Sequence, residues 1–325
     1  MSVAPRVLGR SGIVVSAIGL GCNAIGGPYW DPATRPGLPV GYGVVDDAES
    51  IRAIQRSVEL GITFFDTADE YGCGHSETIL GRALAGHRPQ VVISTKFGYT
   101  FDEAAQTVTG TCATSDYIRS ACEASLRRLQ TDYLDLYLFH LRDYDLERAG
   151  EVRQTLEDLV QAGKIRYYGW STDDIERARF FAAGPHSTAI EHRLNVFLDA
   201  PEMLALCDEL DLGSLNRIPL LMGILTGKFT ADTLPPDDDI RSLFFKSSAF
   251  TWDVARLESL KALLTAGGRS LAQGALAWIL ARHPRAVPIP GFRTAWQVEQ
   301  NAAVLTQGPL PETTLPQIQA LLQGR

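Results

Sequence analysis

Eight short apolar runs, each followed by a stretch of helical periodicity, constrain this chain more than any other feature. The runs cover residues 17–21, 63–66, 91–95, 134–139, 165–169, 189–194, 214–219 and 286–289. Helical patterns fall at 47–60, 76–84, 115–129, 145–162, 173–182, 201–210, 270–282 and 294–305. In the first of these, Ile51, Ile54 and Val58 share one face. Asp46, Ser115, Thr172 and Thr294 stand where N-caps are expected. A strand-then-helix unit repeated eight times predicts an α/β fold of the closed parallel kind, a (β/α)8 TIM barrel, rather than an open sheet. The 325 residues suit one such barrel with insertions, so residues 1–325 are expected to form a single domain. Residues 6–15 read as an N-terminal hairpin ahead of the first strand.

Composition narrows the function classes. The chain is 45% hydrophobic and 21% charged, enough to build a large core. A net charge of −8 gives no electrostatic case for nucleic acid or an acidic membrane. No apolar run approaches a membrane span, and the first residues show no signal-peptide pattern. The five cysteines, Cys22, Cys73, Cys112, Cys122 and Cys207, are scattered and form no CxxC. Reduced thiols in a cytoplasmic protein are the expectation, with no disulfide frame and no metal site.

Two irregular stretches, 26–43 and 230–248, follow the first and seventh strands and are expected as long loops on the active face. Gly19, Gly21 and Ala24 match the dinucleotide pattern GxGxxA, but that pattern requires a helix to start at once. Pro28, Pro32, Pro36 and Pro39 forbid one. A tight strand-to-loop turn is the better account.

Three strand runs deliver chemistry to one face. Asp66 with Tyr71, then Lys96, then His140 stand at or just past the C-terminal ends of successive strands, the face where parallel α/β proteins bind ligands. Taken singly, each has an ordinary structural explanation; together they can protonate a carbonyl while its carbon is attacked. The ammonium of Lys96 beside Tyr71 is expected to lower the phenol pKa, and Asp66 to hold Lys96 charged and in place.

At these residues the chain resembles the aldo-keto reductase family, across nearly its whole length. The segment from Gly61 through Asp66 and Tyr71 to Glu77 is similar to that family's most specific stretch. Ile93-Ser-Thr-Lys96 and Leu134-Asp-Leu-Tyr-Leu-Phe-His140 match the next signatures. Gly163-Lys-Ile-Arg166, Leu225-Thr-Gly-Lys228 and Ile289-Pro-Gly-Phe-Arg293 follow in the family's order. The resemblance implies a (β/α)8 barrel that binds a nicotinamide cofactor without a Rossmann domain. It implies Tyr71 as general acid in carbonyl reduction, with His140 orienting the carbonyl.

The cofactor residues are carried over in the same way. Ser171 and Thr172 close the fifth strand, where the family holds the nicotinamide carboxamide, and Thr172 departs from the usual Asn. Glu191 stands where the family has Gln. An ionised carboxylate cannot donate a hydrogen bond, so the amide NH2 faces Glu191, or Glu191 is protonated, or the clamp differs. Arg217 replaces an aromatic ring and could stack through its planar guanidinium. Pro219, Leu220, Gly223, Leu225, Gly227 and Lys228 resemble the pyrophosphate clasp. Gly291, Arg293, Gln297 and Asn301 match the grip on the adenosine 2′-phosphate, which implies NADPH (NADP+) over NADH. Trp30, Tyr99 and the Phe244-Phe245 region are candidate substrate walls. Oxidation of a sugar or alcohol by the same residues is one alternative. A cofactor-binding regulatory subunit is another. A small-molecule carbonyl is the expected partner, and the sequence leaves its identity and the oligomeric state open.

Overall fold

The computed structural model describes residues 3–230, 232–245 and 248–323. The hairpin pairs β1 (Arg6–Val7) with β2 (Val14–Val15), antiparallel. The barrel strands are β3 (Leu20–Gly21), β4 (Phe64–Asp66), β5 (Val92–Phe97), β8 (Leu134–Phe139), β9 (Ile165–Ser171), β10 (Ser187–Arg193), β11 (Gly213–Arg217) and β12 (Ala286–Pro288). Between β5 and β8 lies a second hairpin, β6 (Tyr99–Asp102) with β7 (Thr107–Thr111). The eight barrel strands form one parallel sheet in chain order, from β3 to β12. Backbone amides of Gly19 and Gly21 donate to the carbonyls of Pro288 and Pro290, at 2.9 and 3.0 Å, joining the first strand to the last. A Cβ at Gly21 would lie 2.8 Å from the Ile289 carbonyl oxygen, so a glycine is required where the seam closes. The GxGxxA match is thus seam geometry.

All six residues of β5 and of β8 are buried, because one face meets the barrel interior and the other the helices. The period of two sorts them. Phe64, Val92, Leu136, Leu138, Ala189, Leu215 and Val287 pack inside, with Leu8, Ile13 and Val15 of the hairpin region plugging one end. Ile93, Phe97, Tyr137, Phe139 and Ile190 face the helices. The same alternation carries Asp66, Lys96, His140, Glu191 and Arg217 onto the interior face at the strands' C-terminal ends. The sequence alternation, together with the seam, therefore sets which polar residues meet.

Several local expectations are corrected. The helix Ser115–Leu129 is capped by Thr114, whose hydroxyl accepts from Tyr117 N, and not by Ser115. The helix Ile175–Ala182 is capped by Asp174 rather than Thr172; the Thr172 hydroxyl accepts from Asp174 N one turn earlier. Asp46 and Thr294 do cap their helices. The run 294–305 is broken into Ala295–Ala302 and Val304–Gln307. The 230–248 stretch contains a short helix, Arg241–Phe245, while Ala231, Lys246 and Ser247 lie outside the described residues. The β6/β7 hairpin and the helices Ser248–Leu264 and Thr314–Gln323 were not expected from periodicity. Among the described residues no helix is long and apolar enough to cross a membrane.

Candidate active site

Lys96 is fully buried; its ammonium donates to Asp66 Oδ2 at 2.5 Å and to the Thr67 carbonyl at 2.9 Å, and lies 3.1 Å from Glu191 Oε2 as a charge contact. Burial opposes its charge, but Asp66 and Glu191 outweigh burial and raise its pKa. Burial and Glu191 lift the Asp66 carboxyl to about 7. Glu191 makes a contact that the sequence reading did not include, an ion pair with Lys96, and Ser171 Oγ donates to its Oε1 at 3.1 Å.

Tyr71 lies beside this group, with Lys96 Nζ 5.3 Å from its ring centroid. The expectation of a lowered phenol pKa is overturned. Burial pushes the phenol well above its ordinary value, and the pull of Lys96 is offset by Glu191, Asp66 and Glu70. The hydroxyl is therefore a proton holder at neutral pH. His140 stands edge-on to Tyr71, ring centroids 5.9 Å apart, and edge-on to Tyr99 at 5.5 Å. Burial, with Lys96 and Arg142, drives the His140 pKa well down, so the imidazole is neutral. Its Nδ1 has no hydrogen-bond partner and lies 3.8 Å from Glu70 Oε1. Burial raises Glu70 to about 7.

A cavity of about 950 Å³ opens from these residues, at the upper end for small-molecule sites. Asp66, Tyr71, His140, Glu191 and Arg217 line it, and so do Arg293, Gln297 and Asn301. Pro219, Leu220, Gly223, Lys228 and Gly291 lie along it. Other lining residues carry no motif signal, among them Cys22, Asn23, Tyr42, Met222, Arg142 and Trp296. Their neighbourhood is tertiary, although the prolines and glycines of 26–43 marked that loop as special. Leu221 and Met222, next to Gly223, adopt positive φ of 46° and 52°, a strained backbone of the kind found at ligand sites.

Several candidates stand away from the cavity lining. Ser171 and Thr172 are buried behind it, with Thr172 Oγ1 donating to the Arg142 carbonyl. Leu225 is in the core. Gly227 has φ +73°, and its close approach is to the Leu271 side chain rather than to the cavity. Tyr99 packs with Tyr29, Val40, Cys73 and Val108 and meets His140 edge-on, but it does not line the cavity. Trp30 is 39% exposed, and its backbone pairs with the loop and strand at Gln106 and Val108. Phe245 stacks on Phe250 at 4.0 Å, in a separate apolar cluster with Phe244 against it.

Arg217 is ion-paired with Asp173, and its Nε is buried without a partner. Arg293 spans the loop that follows β3: its guanidinium donates to the carbonyls of Tyr42 (2.8 Å) and Val44. Its backbone amide donates to Gln297 Oε1 at 2.7 Å. Glu49 accepts from Ala295 N at 2.8 Å and from Arg52. Lys228 also lines the cavity, whereas Arg241 is paired with Asp239 and Arg52 with Glu49. Among the described residues no group of three His, Cys, Asp or Glu side chains has metal-binding geometry.

Comparison with known proteins accords with this geometry. The profile of the aldo/keto reductase family matches residues 17–323. A probable aldo-keto reductase 1 from Glycine max is 31% identical over 313 residues, 93% of this chain and 84% of that protein. A solved glycerol dehydrogenase from Gluconobacter oxydans superposes with a TM-score of 0.84 at 29% identity, over 99% of this chain and 96% of that one. An aldo-keto reductase from Klebsiella pneumoniae, solved in complex with NADPH, gives a TM-score of 0.71 at 28% identity, over 98% and 95%. The chain belongs to the aldo-keto reductase family, and it is an oxidoreductase of (β/α)8 architecture.

Proposed function

We propose that this protein reduces an aldehyde or ketone with NADPH, with Tyr71 as the general acid. The observation that carries the proposal is the buried Asp66–Lys96 pair beside the buried Tyr71 at the wall of a large cavity. The cofactor reading is supported by relatives solved with NADPH or NADP and by residues here that suit it. The cavity is large, Lys228 and Arg293 line it, and buried polar atoms of Glu191, Arg217 and His140 lack hydrogen-bond partners. When bound, the cofactor supplies the hydride. The ring end belongs beside Tyr71, because hydride and proton must reach adjacent atoms of one carbonyl.

The chain's own residues do the rest. The Tyr71 hydroxyl gives its proton to the carbonyl oxygen as that oxygen gains charge. Lys96 stabilises the phenolate left behind, and Asp66 keeps the ammonium fixed. The neutral His140 orients the carbonyl through a ring N–H. Lys228 and Arg293 favour phosphate elsewhere along the cavity. Alcohol oxidation by the same residues is the second reading, favoured by the superposition on a glycerol dehydrogenase. A direct test follows NADPH absorbance with a panel of aldehydes and ketones, wild type beside Tyr71→Phe. Equal turnover by the two proteins would refute the assignment.

A further inference from the structure

We propose that Glu191 makes this cavity favour the oxidised over the reduced nicotinamide ring, by holding a buried carboxylate where the ring becomes cationic. This rests on the reading above that the ring lies at the Tyr71 end of the cavity. Three observations carry it.

Glu191 is 2% exposed, yet it lines the cavity, and its Oε2 has no hydrogen-bond donor. The 3.1 Å approach to Lys96 is a charge contact only. A buried polar atom left in that state is costly unless something completes it. Lys96 is already committed to Asp66 at 2.5 Å and to the Thr67 carbonyl. One ammonium is thus shared between two carboxylates, so Glu191 holds only part of its charge. Arg217, which also acts on Glu191, is itself paired with Asp173, a carboxylate that Arg193 shares.

Loss of hydride turns the neutral dihydronicotinamide into a cation. The hydrogen and its electron pair go to the carbonyl carbon, and the Tyr71 proton goes to the oxygen. A carboxylate a few ångströms from the ring stabilises the product ring and not the starting one. At an effective dielectric of about 20, the preference is of order tenfold or more. Glutamine, the family's residue at this position, offers no charge. For a two-electron couple, a tenfold affinity ratio makes the bound cofactor about 30 mV more reducing. Glu191 therefore favours hydride donation and makes NADP+ a strong product inhibitor. It acts as a charge-positioning residue.

The test is binding without turnover. Dissociation constants for NADP+ and NADPH are measured by tryptophan fluorescence quenching, with no carbonyl present, for wild type and Glu191→Gln. The wild type is expected to bind NADP+ more tightly than NADPH. The near-isosteric variant should shift the ratio toward NADPH by about tenfold. An unchanged ratio, with both cofactors still bound, overturns this inference and leaves the reductase reading standing. Failure of the wild type to bind either cofactor overturns both. Tighter binding of NADPH than NADP+ by the wild type also refutes the inference, whether or not the variant folds.

Discussion

Glu191 Oε2 lies 3.1 Å from Lys96 Nζ inside the barrel, with the two strands β8 and β9 between their own. Lys96 thereby joins two carboxylates, Asp66 and Glu191, that would otherwise face each other through a low-dielectric core. Lys96→Met is expected to lower stability by about 3–5 kcal/mol, since it strands buried charge. Adding Glu191→Gln to that variant should recover part of the loss. Denaturant unfolding of the two single variants and the double checks this. Strict additivity would mean that the pair does not interact.

Tyr71→Phe keeps the ring that packs against His140 and removes the proton donor. Carbonyl reduction is expected to fall at least about 100-fold, the scale of general acid catalysis. NADPH affinity should stay within about twofold of wild type, since the change leaves uniform binding intact. Steady-state kinetics beside fluorescence titration separates the two effects.

Arg293→Ala removes a guanidinium that lines the cavity and ties down the Tyr42 and Val44 carbonyls. If the same group grips a 2′-phosphate, NADPH affinity drops about tenfold or more while NADH affinity stays put. A parallel loss for both cofactors would instead assign Arg293 to loop anchoring. Isothermal titration with each cofactor distinguishes the outcomes.

His192 gives the protein an acid-sensitive point outside the catalytic group. Its Nε2 is 2.7 Å from Ser214 Oγ, and burial lowers its pKa to about 4 from an ordinary 6.5. The unfolded chain therefore binds more protons than the folded one between pH 6.5 and 4, so stability rises with pH across that window. Its contribution is complete above the unfolded value and is lost as pH falls toward 4. The total is about 3 kcal/mol at most. His192→Asn should flatten the melting temperature over that range. A parallel acid limb in the variant would assign the effect to other groups.

Much of this protein was legible before any coordinates. Eight apolar runs of four to six residues, each bound to a helical period, admit few architectures, because a strand buried on both faces must have helices outside it. The strand runs placed Asp66, Tyr71, Lys96 and His140 on one face because they stand at or just past the C-terminal ends of β4, β5 and β8, which a parallel barrel brings together. The β6/β7 hairpin was not legible, since Thr, Gly and Gln in 106–111 give no apolar alternation.

The sequence alone determined the succession of strands and the shared strand-end face of Asp66, Tyr71, Lys96 and His140, because these follow from local period and chain order. It could not decide what depends on distance through space. That Glu191 turns to Lys96, that Arg293 reaches the loop carbonyls 249 and 251 positions away, and that the Tyr71 phenol is pushed up rather than down were decided by the folded barrel. Closing the sheet brings residues far apart in the chain to within hydrogen-bond distance, and burial then weighs desolvation against each charge. Neither term can be read from a sequence one position at a time.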